Sequence, residues 1–180
     1  MLEILVLAIA IILLPFLPGQ VYWSLLLLAI VLPGTYAMRH GPPFVPTPRK
    51  TLERMMDFAG IKKGDRVYDL GCGDGRLVFA AAKRGARAVG YELSVPMFVI
   101  AKIRSFFHHN ATIRYGNFWK PDYSDADVIV CYLLTDAMQT FYRTIWPQLP
   151  KGCRVVSHAF RMKDMNAVKD EKGVILYVKD

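Results

Sequence analysis

Between Leu2 and Met38 the chain of 180 residues has no lysine or arginine, and Glu3 is the only acid there. That absence argues against two buried helices of a soluble core, which would normally carry a polar stripe. Two apolar runs, "ILVLAIAIILL" and "VYWSLLLLAIVL", flank "PFLPGQ". A full bilayer span takes about 20 apolar residues, so each run alone is short and one joined helix would overshoot. The pattern predicts a helical hairpin in the membrane that turns at Pro15, Pro18 and Gly19, with a single kinked span as the second reading. A cleaved leader would want a basic n-region and a small-residue cleavage site after one apolar run; here a second run follows instead. Tyr22 and Trp23 suit a membrane–water interface, and basic residues begin abruptly at Arg39, followed by Arg49, Lys50 and Arg54. By the positive-inside rule these keep the following domain on the cytoplasmic face.

Cysteine is also scarce. Three cysteines at 72, 131 and 153 offer neither a disulfide framework nor a metal-ligand spacing, and each sits in or beside an apolar run as a small buried thiol. His108 and His109 have no partners that would make them a metal site, so no metal is expected. No internal repeat or low-complexity tract is present. The formal net charge is +8, and since Glu3 is the only charge in the first 38 residues the remainder carries +9. Such a surface favours anionic lipid headgroups or nucleic acid; beside a membrane, lipid is the simpler partner.

The organisation follows as three segments: residues 1–38 as a hydrophobic membrane anchor, 39–50 as a proline-rich junction, and 51–180 as a single domain. Four prolines in "GPPFVPTPRK" stiffen the junction. Thr47 then Pro48 read as the N-cap and first residue of a helix, with Leu52, Met55, Met56 and Ala59 at helical spacing and Gly60 as its end. Beyond it, strands and helices alternate. "RVYDL", "RAVGYEL", "ATIRY", "DVIVCYLL", "RVVSHAF" and "VILYV" read as strands. "RLVFAAAKRG", "SVPMFVIAKIRSFFHH" and "TDAMQTFYRTIW" read as helices. This predicts a Rossmann-like, doubly wound, mostly parallel sheet of about six strands with helices on both faces. The direction of the last strand is not readable from its sequence.

In that topology the loop after the first strand faces the ligand crevice. Here it reads "DLGCGDG", residues 69–75. Gly71, Gly73 and Gly75 let backbone pass close to a ligand. A dinucleotide loop has G-x-G-x-x-G, but the third glycine comes one position early. Asp69 and Asp74 also bracket the loop, and two carboxylates would repel a pyrophosphate while attracting a cation such as an α-ammonium. Helix capping explains Asp74 equally well, and Arg76 reads as solvent-facing.

The residues "DLGCGDG", followed by "GYELS" at the end of the second strand, resemble the class I methyltransferases. The resemblance implies S-adenosyl-L-methionine as cofactor. In that family the acid of the second strand takes both ribose hydroxyls, which matches Glu92, with Leu93 beside it. "GNFW" matches the adenine site, with Asn117 at the amino edge and Phe118 backing the ring. Asp69 would support the methionine ammonium, with Cys72 in the glycine loop, and the backbone around Cys131 would contact the methionine part. The anchor joined to "PPFVPTP", the glycine motif, "GNFW" and "CYLL" further resembles the small membrane-anchored lysine methyltransferases that modify the ATP synthase c subunit or the adenine nucleotide carrier. That implies in-line methyl transfer to a lysine of a membrane or membrane-proximal protein.

Alignment of donor and acceptor carries most of such a reaction, and a dedicated base is not mandatory. Aromatic faces attract methylated ammonium, which makes Phe44, Tyr132 and Trp119 candidates for the acceptor channel. Phe44 and Thr47 are expected beside the methyl if the junction folds over the cofactor; a rigid spacer is the plainer reading. Asp136 reads as a first-turn helix acid, His108 and His109 as helix-end residues, and His158 as a satisfied core or crevice residue. Nucleic acid is not the expected substrate, because an "NPPY"-like tetrapeptide after the fourth strand is replaced by "CYLL". RNA enzymes without it, a lipid-amine acceptor and an inactive cofactor-binding scaffold are the alternatives.

Overall fold

The computed structural model describes residues 18–28, 45–163 and 165–180. The chain divides into residues 1–43 and 44–180. Within the first unit, residues 19–28 are helical, starting where the predicted turn ends. The rest of the predicted anchor lies outside the described residues. Among the described residues no helix is long and apolar enough to cross a membrane.

In the second unit, strands β1 (Arg66–Leu70), β2 (Arg87–Glu92), β3 (Ala111–Tyr115), β4 (Val128–Cys131) and β5 (Arg154–His158) pair in parallel. Connections longer than a hairpin, three of them containing helices, permit this arrangement. The helices are α1 (Arg49–Ala59), α2 (Arg76–Lys83), α3 (Val95–Ser105) and α4 (Thr135–Thr144). Two further strands, β6 (Lys169–Glu171) and β7 (Val174–Val178), complete a sheet of order β3-β2-β1-β4-β5-β7-β6. β7 is antiparallel to both neighbours.

Strand periodicity sorts the core. Val67, Val128, Val130 and Val156 face the side covered by α1 and α2, and join Met55, Met56, Val78 and Phe79. Tyr68, Ile129, Val155 and Tyr177 face the other side, and join Met138, Phe141, Ile145 and Trp146. All four residues of β4 are buried, as the central strand of a doubly covered sheet requires. Arg154 fastens α1 to this sheet. Its Nη1 donates to the carbonyls of Ala59 and Gly60 at 2.6 Å each, and its Nη2 to Asp65 Oδ2 at 2.6 Å. A guanidinium thus satisfies carbonyls that every helix C-terminus leaves open.

Four sequence expectations need correction. Among the described residues the sheet has seven strands, not about six: "KDE" is fully exposed, so β6 has no apolar signal. It is made by the turn at Lys172 and Gly173, both at positive φ (49° and 76°), which suits a two-residue hairpin. The helix expected to reach His109 stops at Ser105. The cap of α1 is Pro48, with no side-chain cap bond, rather than Thr47. β5 ends at His158, because Ala159 takes φ 65°.

All three cysteines are buried. Burial pushes the Cys131 and Cys153 thiols up to about 12 and raises Cys72 further. Since thiolate is the reactive form, the folded protein is expected to resist disulfide-exchange reagents at pH 8 and to expose three thiols in denaturant. Rapid stoichiometric labelling of the native chain would contradict this packing.

Candidate active site

The carboxyl ends of β1, β2 and β4 bring the sequence-selected residues together. Asp69 pairs in register with Gly90 and Val130, and Leu70 with Tyr91 and Cys131. The loop after β1 is pinned from beneath: the N–H groups of Gly71 and Cys72 donate to the Tyr91 carbonyl at 3.1 and 2.9 Å. Gly71, Gly73 and Gly75 all adopt positive φ (82°, 54° and 82°), which a side chain tolerates poorly.

The glycines nevertheless serve different purposes. A Cβ at Gly71 would meet nothing nearer than Phe118 Cε1 at 4.0 Å, so its missing side chain leaves open space. At Gly75 a Cβ would lie 2.6 Å from Phe79 Cζ; that glycine lets α2 close onto its own loop. Gly90 in β2 carries no signal of its own in the sequence. A Cβ there would lie 2.7 Å from Cys72 Cβ, Cys72 Sγ and Val78 Cγ2.

Two acids remain at the loop. Asp69 is only 2% exposed, and its Oδ2 is buried without a hydrogen-bond partner among the described residues. Burial first, then the nearby Glu92 and Asp74 carboxylates, raise its carboxyl well above the usual range. An unpaired buried carboxylate is costly and wants a cation. Glu92, half-buried, accepts from the Gly73 N–H through Oε2 at 2.8 Å and from the Ser94 N–H through Oε1 at 2.7 Å. Each oxygen keeps a further lone pair for an adjacent donor.

Asp74 differs from the reading that set it beside Asp69 as a second acid for a cationic ligand. Arg76 Nε and Nη2 reach its two oxygens at 2.9 and 3.0 Å, and Arg104 Nη1 reaches Oδ2 at 2.5 Å. Burial alone would raise this carboxyl, but the two guanidinium groups outweigh it and lower it. Asp74 is already neutralised. Nor does Arg76 simply face solvent: its Nη1 donates to the Thr47 carbonyl at 2.8 Å. Thr47 is buried, so the junction is tied to the glycine loop. Phe44 lies outside the described residues.

After β3, Asn117 Oδ1 accepts from the Trp119 N–H at 2.9 Å, which fixes the turn. Its amide nitrogen makes no hydrogen bond among the described residues. Phe118, held by Tyr123 Oη donating to its carbonyl at 2.6 Å, places its ring edge near Gly71. The Cys131 side chain points into the core, 3.8 Å from Met138 Sδ, leaving only its backbone for the crevice.

Tyr132 follows at the end of β4, with its ring centroid 4.4 Å from His158 and 6.1 Å from Phe160. Nothing in the local pattern points to Phe160. The turn at Ala159 creates this cluster, because it carries a positive φ on a non-glycine residue and Ser157 Oγ donates to the Phe160 carbonyl at 2.7 Å. His158 Nδ1 lies 2.9 Å from the Gly173 carbonyl. A carbonyl only accepts, so Nδ1 bears the hydrogen of this contact. Among the described residues no group of three or more His, Cys, Asp or Glu could hold a metal ion.

A strand order in which antiparallel β7 sits between β5 and β6, with a buried acid below a glycine loop and a second acid closing β2, defines an S-adenosylmethionine-dependent methyltransferase. The residues fit that cofactor: Asp69 Oδ2 lacks a partner, Gly71 opens onto free space, and Glu92 retains acceptor capacity. The model of the ANTKMT methyltransferase domain matches residues 69–169, and the chain belongs to that family.

Among its relatives, a "Protein-lysine N-methyltransferase" of Saccharolobus islandicus is 38% identical over 149 residues, covering 76% of this chain and 92% of that protein. The human lysine N-methyltransferase of the ATP synthase c subunit is 31% identical over 66% of this chain, and the match spans only 52% of that longer protein. A solved RNA methyltransferase from Salinibacter ruber, in complex with S-adenosyl-L-homocysteine, is 34% identical with a TM-score of 0.68. It covers 74% of this chain and 91% of its own.

Proposed function

We propose that this enzyme transfers the methyl group of S-adenosylmethionine to the side-chain amine of a lysine in a membrane or membrane-proximal protein. Likeness to a protein-lysine N-methyltransferase along 92% of that relative's length carries the reading. The cofactor supplies a methyl group already activated by a positive sulfur. The chain's own residues bind and align. Asp69 offers the buried carboxylate for the α-ammonium, and Glu92 accepts from two adjacent ribose hydroxyls with the oxygens that Gly73 and Ser94 orient. The free amide nitrogen of Asn117 donates to the adenine edge, Phe118 backs the ring, and Leu93 and the backbone of Cys72 and Cys131 complete the wall.

The Tyr132 and Phe160 faces attract the incoming ammonium, with the His158 ring packed against Tyr132 at 4.4 Å. Trp119 stands against Phe118, with ring centroids 4.6 Å apart, and narrows the approach. Tyr132→Ala is expected to lower kcat/KM for the protein substrate about fivefold to tenfold, the scale of one desolvated cation–π contact, without changing cofactor affinity. A parallel fall in cofactor affinity would move Tyr132 to the other subsite.

Residues 1–38 serve in this reading as the membrane anchor, 39–50 as the junction and 51–180 as the methyltransferase domain, kept on the cytoplasmic face. Residues 45–50 of the junction border the crevice, with Thr47 near the transferred group. The bond from Arg76 to the Thr47 carbonyl supports this.

The test is incubation of the full chain with membranes and methyl-labelled S-adenosylmethionine. Label that survives lipid extraction and nuclease, and appears as methyl-lysine after hydrolysis, is the expected result. Label confined to lipid or RNA refutes it. RNA is the second reading, favoured by the likeness to the Salinibacter ruber enzyme.

A further inference from the structure

A helix on the outside of a sheet ordinarily turns its apolar stripe inward. α3 also carries one outward. Val99, Ile100 and Ile103 are 45%, 43% and 56% exposed at helical spacing, and Phe106 and Phe107, just past its end, are 78% and 81% exposed. On this helix only Ala101 is buried. Isolated exposed apolar residues need no explanation, but five grouped on one face mark an interaction surface.

Beside this face lies a cavity of about 400 Å³ lined by Arg49, Arg76, Lys83, Arg84, Arg104 and His108. Arg104 and His108 belong to the same segment as the exposed stripe. The one acid lining the cavity, Glu53, is paired with Arg84, which also bonds Asp57, and Asp74 outside the lining holds Arg76 and Arg104, so five cations stand against three carboxylates. Arg49 and Lys83 make no ion pair among the described residues, and Arg84 Nη1 is buried without a hydrogen-bond partner. Burial first, then the Lys83 and Arg104 charges, lower the His108 ring below its ordinary value.

We infer that the outer face of α3 docks on an anionic phospholipid surface, the stripe entering the acyl boundary while the neighbouring cationic cavity receives a phosphate headgroup. Apolar residues beside Lys and Arg are the composition that holds a helix in a membrane interface. Phe106 and Phe107 could stack on a base, but the aliphatic Val99, Ile100 and Ile103 offer RNA neither a stacking face nor a hydrogen bond, whereas all five suit an acyl boundary. Docking of this kind requires neither a lysine acceptor nor a bilayer span by residues 1–38.

Since the native cysteines are buried, a single surface cysteine can be labelled selectively. The full chain carrying Phe107→Cys with a polarity-sensitive fluorophore is titrated with vesicles of phosphatidylcholine, alone or mixed with phosphatidylglycerol. A Glu171→Cys label on exposed β6 is the control. Blue-shifted emission at 107 on the mixed vesicles, with little change at 171, is expected. Adding Arg49→Gln and Lys83→Gln together should weaken the charge-dependent part of this docking roughly 30-fold, from about fivefold per cation near an anionic surface. An unmoved probe on vesicles that carry the chain would overturn the inference. So would a shift without vesicles that grows with protein concentration, which indicates self-association, or one produced by an RNA oligonucleotide and not by lipid.

Discussion

Asp69→Asn is expected to weaken S-adenosylmethionine binding roughly 100-fold and, at the same time, to raise the melting temperature of the ligand-free protein. Both effects come from one atom. Asp69 Oδ2 is buried with no hydrogen-bond partner among the described residues, so a ligand ammonium is its natural counter-charge. A hydrogen bond to a charged group contributes about 1.5–3 kcal/mol, and the upper end of that range corresponds to a loss of two orders of magnitude. Without ligand the unpaired charge is a liability that Asp69→Asn removes while leaving a neutral amide in its place, so a gain of about 1 kcal/mol, the low end of the range for an unsatisfied buried group, is expected to raise Tm by roughly 2–4 °C.

The pH dependence has a definite sign. Burial, Glu92 and Asp74 raise the Asp69 carboxyl above its value in the unfolded chain. Between the two values the native state therefore binds more protons than the unfolded state. Stability consequently falls as pH rises through that window, and the full penalty stands above it. A bound cation favours the ionised form, so cofactor affinity should drop as pH is lowered through the raised value. Binding there should release a proton, read as a buffer-dependent enthalpy in calorimetry. Unaltered affinity in Asp69→Asn would remove this residue from the cofactor site.

Gly90→Ala is expected to destabilise the fold by about 2 kcal/mol, the cost of overpacking a filled site, and to lower Tm by roughly 5 °C. The new methyl would stand 2.7 Å from Cys72 Cβ and Sγ and from Val78 Cγ2. Cys72 cannot retreat freely, because its N–H is bonded to the Tyr91 carbonyl. The strain therefore passes to the glycine loop and to the Gly73 N–H bond that orients Glu92. Cofactor affinity should fall about tenfold as a result, the cost of losing about 1.4 kcal/mol. Thermal melting and calorimetry read the two consequences separately. A variant with native Tm and native affinity would mean the loop is not seated on β2 as described.

Local chemistry was legible in the sequence wherever a residue announces its role to its neighbours in the chain. Strand and helix alternation, the glycine run from Gly71 to Gly75, and the acids at the ends of two successive strands all belong to this kind. Asp74 was not legible. Its carboxylate sits in the same motif as Asp69, yet it is taken by Arg104, thirty residues further on, and by Arg76. β6 was hidden because an edge strand of exposed charged residues carries no apolar alternation. The Tyr132, His158 and Phe160 cluster depends on a positive φ at Ala159, a conformation that alanine does not advertise.

What the sequence by itself determined is the order of elements and the chemical character of the crevice, since periodicity, turn residues and charge act over a few positions. What only the tertiary structure decided is which of two similar acids remains without a partner, why Gly90 has no side chain, and which aromatic rings meet beside Tyr132. Those outcomes depend on distances through space between residues far apart in the chain, and close packing sets them.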